Sequence, residues 1–150
     1  MEERRDGTEN GKQNSTGAMS HPKGWNPFME ENGIEIVSES AERVVLRAVP
    51  SKKQRNPYGM VHGGLLYTMI DCAAGITARA DGKAYVTQNS YVNFLANTEK
   101  EEELLAETNV IRRGATIVAV HVELRTADGR KLADAVVDMF RIAGMPDIKR

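Results

Sequence analysis

The sequence predicts an α+β fold in which one long helix packs against an antiparallel sheet of about six strands. One segment, residues 65–80, repeats apolar side chains at intervals of three and four, as one face of a helix does. The segments on either side are rich in β-branched residues or alternate apolar with polar side chains, which is typical of strands. A length of 150 residues suits a single domain of this kind.

The part of the chain before the long helix predicts a short helix or turn, a hairpin and a loop. Residues 25–33 carry two large aromatic side chains and end on glycine, which fits a short helix or turn. Residues 33–37 and 43–50 are dominated by isoleucine and valine, so we expect two paired strands there. The polar segment 51–59 contains Asn-Pro-Tyr-Gly, which indicates a loop.

The long helix is bounded by glycines, and the rest of the chain predicts strands. Gly63 and Gly64 precede the periodic segment, and Gly82 follows it as a stop signal. Strands are then expected over residues 84–95, 104–112, 115–126 and 131–143.

The first 24 residues are polar and have no apolar period, so we expect a disordered tail over residues 1–24 and a folded domain over residues 25–150. The tail lacks the apolar core of a signal peptide. No stretch of the chain reaches the roughly 18 apolar residues of a membrane span. A cytoplasmic location and no contact with a membrane are therefore expected.

Charge and residue counts argue against several functions. Twenty Lys and Arg residues against 21 Asp and Glu residues give a net charge of −1, which provides no overall field to hold nucleic acid. A single cysteine, Cys72, excludes an internal disulfide, and three histidines leave few ligands for a metal ion. We expect no metal site.

The start of the long helix is a candidate anion site. The two glycines let another group approach the backbone closely. The N–H groups of a first helical turn lack intrahelical partners and lie at the positive end of the helix dipole. A carbonyl oxygen docked on such an N–H would be polarised, and negative charge developing on it would be stabilised.

Asp71 is a candidate general base or nucleophile, because it lies in a helix that is otherwise rich in apolar residues. The alternative is that it occupies the polar side of the helix or pairs with Arg79. Eight residues separate it from Gly63, which is about 12 Å along a helix. If both groups act on one carbonyl, Asp71 must come from a neighbouring subunit whose helix runs antiparallel.

His62, just before the helix, has two open roles. It can orient Asn56 or polarise a substrate, or it can fix the loop through a capping hydrogen bond.

These residues resemble a known family. Asn56, the run Gly-Met-Val-His-Gly-Gly-Leu-Leu over residues 59–66 and Asp71 are similar to the hotdog-fold acyl-CoA thioesterases of the phenylacetate-pathway type. The resemblance implies a hotdog fold, in which an antiparallel sheet wraps one long helix. It also implies an acyl-CoA substrate, no cofactor, and a homodimer that often pairs into a homotetramer.

The resemblance also implies roles for the residues of the helix start and of the next strand. The Gly63 N–H and the Asn56 side chain would polarise the thioester oxygen. Asp71 from the other subunit would activate water or attack directly, and Thr87 would place the water. Gln88, Asn89 and Ser90 are alternatives to Thr87 after a small shift of alignment. His62 would orient the loop.

The remaining implied contacts concern the substrate. Gly64 would lie against it, and residues Arg112, Arg113 and Gly114 would lie near the CoA nucleotide, where an arginine can bind phosphate. A basic hairpin turn without a ligand is the alternative. Candidates for the acyl pocket, which the sequence does not order, are Tyr67, Met69, Phe94 and Leu95.

Three functions are consistent with such a scaffold. Hydrolysis of an acyl-CoA to a free acid and CoA is the leading hypothesis. A hotdog hydratase or dehydratase pairs a histidine with an acid under a different local signature, so the pattern here disfavours it. A non-catalytic acyl-CoA sensor would not need Asp71.

Overall fold

The computed structural model of the chain describes residues 21–145. Within that range, six antiparallel strands form one sheet in the order β1-β2-β4-β5-β6-β3. The strands are β1 (Glu35–Glu39), β2 (Val44–Ala48), β3 (Tyr85–Phe94), β4 (Leu104–Arg113), β5 (Ile117–Thr126) and β6 (Lys131–Arg141). The helices are α1 (Pro27–Glu31) and α2 (Gly63–Arg79). The predicted α+β architecture with one long helix and six strands is confirmed.

Helix α2 forms the core because one side of it is apolar at helical spacing and packs against one face of the sheet. It contacts β2 and every strand from β3 to β6. Alternate side chains of the strands point at the helix, as the pleat requires. Each fully buried aliphatic side chain stabilises such a core by about 1.5–3 kcal/mol. The largest fully buried side chains include Leu66, Met69, Ile70 and Ile76 of α2 and Leu46, Leu104, Val118, Leu124 and Met139 of the sheet.

One stripe of α2 is left uncovered by the other residues of the range 21–145. Its side chains are exposed or half-buried and recur every three or four residues: Gly64, Tyr67, Thr68, Asp71 and Cys72. The stripe lies toward β3, which among the described strands is an edge strand paired with β6 alone. Along the ten residues of β3, the described chain therefore leaves the backbone N–H and C=O groups of the outer edge unpaired.

A bulge in β3 decides which of its side chains face α2. The register with β6 shifts between Thr87 and Asn89. One extra residue in a strand reverses the alternation beyond it. Thr87 and Ser90, three positions apart, consequently both lie on the helix side and are half-buried, whereas Gln88 and Tyr91 are exposed.

The element boundaries differ from the expected ones by a few residues. Strand β5 begins at Ile117 rather than at 115, and β6 ends at Arg141 rather than at 143. The loop expected over residues 51–59 contains one turn of 3-10 helix, Lys52–Gln54, closed by a capping box.

The packed chain starts before Trp25. The His21 ring stacks on Trp25 with the ring centres 3.8 Å apart, and its Nε2 lies 2.7 Å from a carboxylate oxygen of Glu39. Residues 1–20 of the expected tail lie outside the described range, so the disorder expected there stays a prediction. Within residues 21–145, no helix is long and apolar enough to span a membrane.

Candidate functional site

The first turn of α2 carries a backbone donor that the rest of the described chain does not use. His62 is the N-cap, and its Nδ1 accepts the N–H of Gly64 at 2.8 Å. Among residues 21–145, no atom accepts the N–H of Gly63. Of the two roles considered for His62, its geometry matches the capping role. The backbone N–H that stays without a partner in the described chain is that of Gly63.

Glycine is needed at position 64 for a steric reason. A Cβ there would lie 2.9 Å from His62 Nδ1, so any side chain would push the capping imidazole away. At Gly63 the space is larger, since a Cβ would lie 3.9 Å from the Phe94 ring. Gly63 is open to a ligand on its amide side, whereas the Gly64 N–H, predicted to lie against substrate, is occupied by the cap.

The Asn56 side chain is fixed in a tight loop beside the helix start. Its Oδ1 accepts the backbone N–H groups of Tyr58 at 2.9 Å and Met60 at 3.1 Å. Gly59 closes the loop at a φ of +81°, a conformation that favours glycine. These bonds use the oxygen of the Asn56 amide and leave its Nδ2 as a donor.

The loop ends are tied to the residue that leads into α2. The His62 N–H donates to the Gln54 carbonyl at 2.8 Å, and Arg55 forms an isolated antiparallel bridge with Val61. The segment that carries Asn56 therefore runs alongside the residues just before Gly63.

The structure brings the Asp71 and Thr87 side chains together. The Thr87 hydroxyl donates to Asp71 Oδ1 at 2.5 Å. Because a carboxylate has two oxygens and Thr87 engages one, Asp71 Oδ2 keeps its capacity to accept a proton or a hydrogen bond. The pair lines an open cleft of about 340 Å³ that also includes Asn26, Cys72 and Met139.

Cys72 does not supply a nucleophile at neutral pH. Burial, with a smaller contribution from the Asp71 carboxylate, raises the pKa of its thiol to about 11. The thiol is therefore protonated near pH 7, and the thiolate is the reactive form.

Arg113 is engaged at the opposite end of α2. Its guanidinium donates to the carbonyls of Thr77 at 3.0 Å, Ala78 at 2.9 Å and Ala41 at 3.1 Å, and it lies 3.7 Å from Asp81. It ties the C-terminal end of the helix to the β1–β2 connection. This placement favours a structural role over the phosphate contact expected from the resemblance.

The other two residues of that expected nucleotide contact lie at a separate cleft. Arg112 is exposed and, together with Gly114 and Ile117, lines an open cleft of about 380 Å³. The Gly114 N–H donates to the Ile117 carbonyl at 2.9 Å, so it closes the β4–β5 turn instead of facing a ligand. Of the three residues expected near the CoA nucleotide, Arg112 is the one whose side chain has no partner within the described chain and can contact a ligand.

Two contacts near the helix start go beyond the sequence prediction. The hydroxyl oxygens of Tyr67 and Ser90 lie 2.5 Å apart, which links α2 to β3 midway between Gly63 and Asp71. The Phe94 ring lies beside Gly63.

Met69, which was also a candidate for the acyl pocket, is fully buried in the core and does not reach this surface. Because Tyr67 is four residues after Gly63, helical spacing alone would have placed it on the same face of α2. Its contact with Ser90 depends on the bulge in β3, which the sequence does not indicate.

No three His, Cys, Asp or Glu side chains of the described residues come close enough together to hold a metal ion.

The model of the thioesterase superfamily matches residues 58–133, which contain the α2 start, Asp71 and Thr87. The chain belongs to the thioesterase superfamily. Among curated proteins, a putative esterase of Saccharolobus solfataricus is 29% identical over 105 residues, covering 69% of this chain and 74% of that protein. The chain is accordingly a thioester hydrolase by family, as predicted.

Solved structures confirm the hotdog fold. The Escherichia coli PaaI protein from the phenylacetic acid degradation operon matches with a TM-score of 0.77 and 22% identity, covering 80% of this chain and 87% of that one. A hypothetical thioesterase of Streptococcus pneumoniae, solved with coenzyme A, matches with a TM-score of 0.70 and 27% identity, covering 73% and 85%. The pneumococcal protein was also solved with an aspartate and, separately, a threonine replaced by alanine, 16 positions apart.

Proposed function

We propose that this thioester hydrolase cleaves acyl-CoA to a free carboxylic acid and CoA in a site shared by two copies of the chain. The observation that carries the proposal is the unengaged Gly63 N–H at the start of α2, with the Asp71–Thr87 pair two turns further along the same exposed stripe. The coenzyme A bound to the pneumococcal relative supports CoA as the leaving group.

The thioester carbonyl docks at the helix start. The Gly63 N–H and the Nδ2 of Asn56 donate to its oxygen, and the positive end of the helix dipole adds to their field. The Asn56 amide is held for this by the Tyr58 and Met60 N–H groups on its oxygen. As charge develops on the carbonyl oxygen, these fixed donors stabilise it without rearrangement.

Asp71 acts as the general base. Thr87 holds one carboxylate oxygen, and the other takes a proton from water as the water oxygen bonds to the carbonyl carbon. The tetrahedral intermediate then collapses, the C–S bond breaks, and the sulfur leaves with the proton returned by the Asp71 carboxyl. The hydroxyl group of the water thereby ends in the carboxylic acid, and its abstracted proton ends on the CoA thiol.

The two halves of this chemistry come from different chains. Gly63 and Asp71 are eight residues apart on one straight helix, about 12 Å, which is too far for one carbonyl group. A second copy with its α2 antiparallel brings its Asp71 beside Gly63. The uncovered stripe of α2 and the unpaired edge of β3 support such pairing, since both leave groups that a second copy can cover.

The pneumococcal variants lend support to the choice of residues. Their aspartate and threonine are separated by the same 16 positions as Asp71 and Thr87. That agreement favours Thr87 over Gln88, Asn89 or Ser90 as the partner of Asp71.

A hydratase is disfavoured by where the histidines lie. His121 pairs with Asp134 at 3.1 Å, but its neighbours Val120 and Val122 point at α2, so His121 lies on the outer face of the sheet. His62 is used as the cap of α2.

A thiol-release assay over short-chain, long-chain and aromatic acyl-CoAs tests the proposal. Asp71→Asn should lower kcat by about 100-fold or more, the usual contribution of a general base. Asp138→Asn, a half-buried aspartate of β6, is the matched control and should retain full activity. Full turnover by both Asp71→Asn and Asp71→Ala would overturn the mechanism. Tight binding of acyl-CoA by the wild-type protein without turnover would favour a sensor.

A further inference from the structure

Three contacts join α2 to the edge strand β3, and together they define a surface that we call the α2–β3 seam. At one end the Phe94 ring lies beside Gly63. In the middle the Tyr67 hydroxyl bonds with Ser90, and at the other end Thr87 donates to Asp71. The helix residues are Gly63, Tyr67 and Asp71, and the strand residues are Phe94, Ser90 and Thr87.

The middle contact depends on the bulge in β3. The helix residues are spaced by four, so they lie on one face. Thr87 and Ser90 are spaced by three, and only the bulge at residue 88 turns both toward that face. The bulge therefore lets Ser90 face Tyr67 on the same surface on which Thr87 faces Asp71.

The seam is the direction open to an acyl group whose carbonyl lies on Gly63. Toward the core α2 is sealed, because Leu65, Leu66, Met69 and Ile70 are at most 5% exposed. The rest of the uncovered stripe is where the second copy of the chain is proposed to pack. Tyr67 is 40% exposed and faces the seam instead. An apolar chain leaving Gly63 along the helix first meets the Phe94 ring, which is 53% exposed.

We propose that the Tyr67–Ser90 contact closes the α2–β3 seam about one helical turn, roughly 6 Å, beyond the reacting carbonyl and so restricts the substrate to short acyl groups. This inference rests on the proposed function, since it takes the position of the carbonyl from it. Tyr67 and Ser90 act here as specificity-determining residues and take no part in bond breaking.

Symmetry strengthens the closure. An antiparallel arrangement that opposes Gly63 of one copy to Asp71 of the other must oppose Tyr67 to its own counterpart, because Tyr67 is midway between them. Two Tyr67 rings then stand between the two active sites at the twofold axis. A long acyl chain cannot extend from one site toward the other without displacing both.

The test is the chain-length profile of the intact oligomer. The ratio of kcat/KM for octanoyl-CoA to that for butyryl-CoA is measured for the wild type, Tyr67→Ala, Tyr67→Phe and Ser90→Ala. This ratio does not depend on the fraction of folded enzyme. Tyr67→Ala removes the ring, and alanine is a good helix former at this half-exposed position. The matched control is Tyr91→Ala, an exposed tyrosine on the opposite face of β3.

The wild type should prefer butyryl-CoA, and Tyr67→Ala should raise the octanoyl-to-butyryl ratio by about tenfold or more, the discrimination that a pocket exerts over few methylenes. Tyr67→Phe and Ser90→Ala, which remove only the bond, should raise it less, and Tyr91→Ala should not change it.

An unchanged ratio in an active Tyr67→Ala enzyme, or a wild type that prefers octanoyl-CoA, overturns the inference and leaves the proposed function standing. A wild type that hydrolyses no acyl-CoA overturns the proposed function and the inference with it.

Discussion

The two ends of α2 are built for different purposes. At the N-terminal end, two glycines and a single imidazole cap leave the Gly63 N–H unengaged within the described chain. At the C-terminal end, the Arg113 guanidinium covers the carbonyls of Thr77 and Ala78. Both ends have orphan backbone groups by the geometry of a helix, but among residues 21–145 a charged side chain satisfies them at the C-terminal end alone.

The buried hydroxyls reinforce the C-terminal end. Thr77 donates to the Ala73 carbonyl at 2.9 Å, and its hydroxyl lies 2.7 Å from that of Thr108. Thr108 in turn accepts the Val44 N–H at 2.8 Å, so the helix is tied to β4 and β2. The C-terminal end of α2 is thus bonded to β4 and, through Thr108, to β2, whereas the positive end of the helix dipole is left available to a ligand.

The largest expected effect comes from removing the donor at the N-terminal end. Gly63→Pro deletes the N–H but suits the first helical position, and His62 before it already has the extended backbone that a proline requires. We expect kcat to fall by about 100-fold or more, the cost of one oxyanion donor. Gly63→Ala keeps the N–H and should retain most activity, since its Cβ meets Phe94 at an ordinary 3.9 Å.

Equal kcat values for these two variants in the thiol-release assay would show that the backbone donor has no part in catalysis.

The next effect concerns stability at the C-terminal end. Arg113→Met strips a charged donor from the carbonyls of Thr77 and Ala78, and we expect the free energy of unfolding to fall by about 2 kcal/mol. Arg112→Met, the exposed neighbour, should change it by less than about 0.5 kcal/mol. Denaturant titration measures both. Unchanged stability with a raised KM for acyl-CoA in Arg113→Met would instead assign Arg113 to the CoA phosphates.

The smallest effect is a pH dependence at the same end. Partial burial acts to raise the pKa of the Asp81 carboxyl, but the Tyr85 hydroxyl, the Lys83 N–H and the charges of Lys83 and Arg113 together lower it below the ordinary value of 3.8. A lowered folded-state pKa contributes stability above the ordinary pKa, and this contribution is lost as pH falls through the folded-state value.

Asp81→Asn should therefore be less stable than the wild type at pH 7, by about 1 kcal/mol or less. The difference should shrink below about pH 4. Thermal unfolding at pH 7 and at pH 3 measures it, and a difference that stays constant or grows in acid would contradict the assignment.

The sequence predicted those features that depend on local spacing. The 3.6-residue period located α2, the glycines located its start, and two-residue alternation located the strands. The resemblance assigned Thr87 to the placement of the water, with Gln88, Asn89 and Ser90 as alternatives, and did not predict the Thr87–Asp71 hydrogen bond within one chain. Those alternatives were open because the bulge arises from pairing with β6, about 50 residues further on.

Long-range contacts account for what the sequence did not predict. Arg113 follows a basic, turn-like pattern that is compatible with phosphate binding. Its direction is set by carbonyls of α2 some 35 residues earlier in the chain. A long side chain can reach several alternative hydrogen-bond partners, and the local sequence pattern does not indicate which of them it contacts. For the same reason His21 was assigned to the tail, because its carboxylate partner Glu39 lies 18 residues further along the chain.

The shared site is tested most directly by combining two inactive variants in one oligomer. Gly63→Pro lacks the donor and Asp71→Asn lacks the base, and each should be nearly inactive alone. Co-expressed in equal amounts and randomly paired, they should recover about a quarter of wild-type activity, because one site in four receives an intact Gly63 from one chain and an intact Asp71 from the other. A mixture that forms mixed oligomers yet stays as inactive as its components would contradict a site shared between two chains.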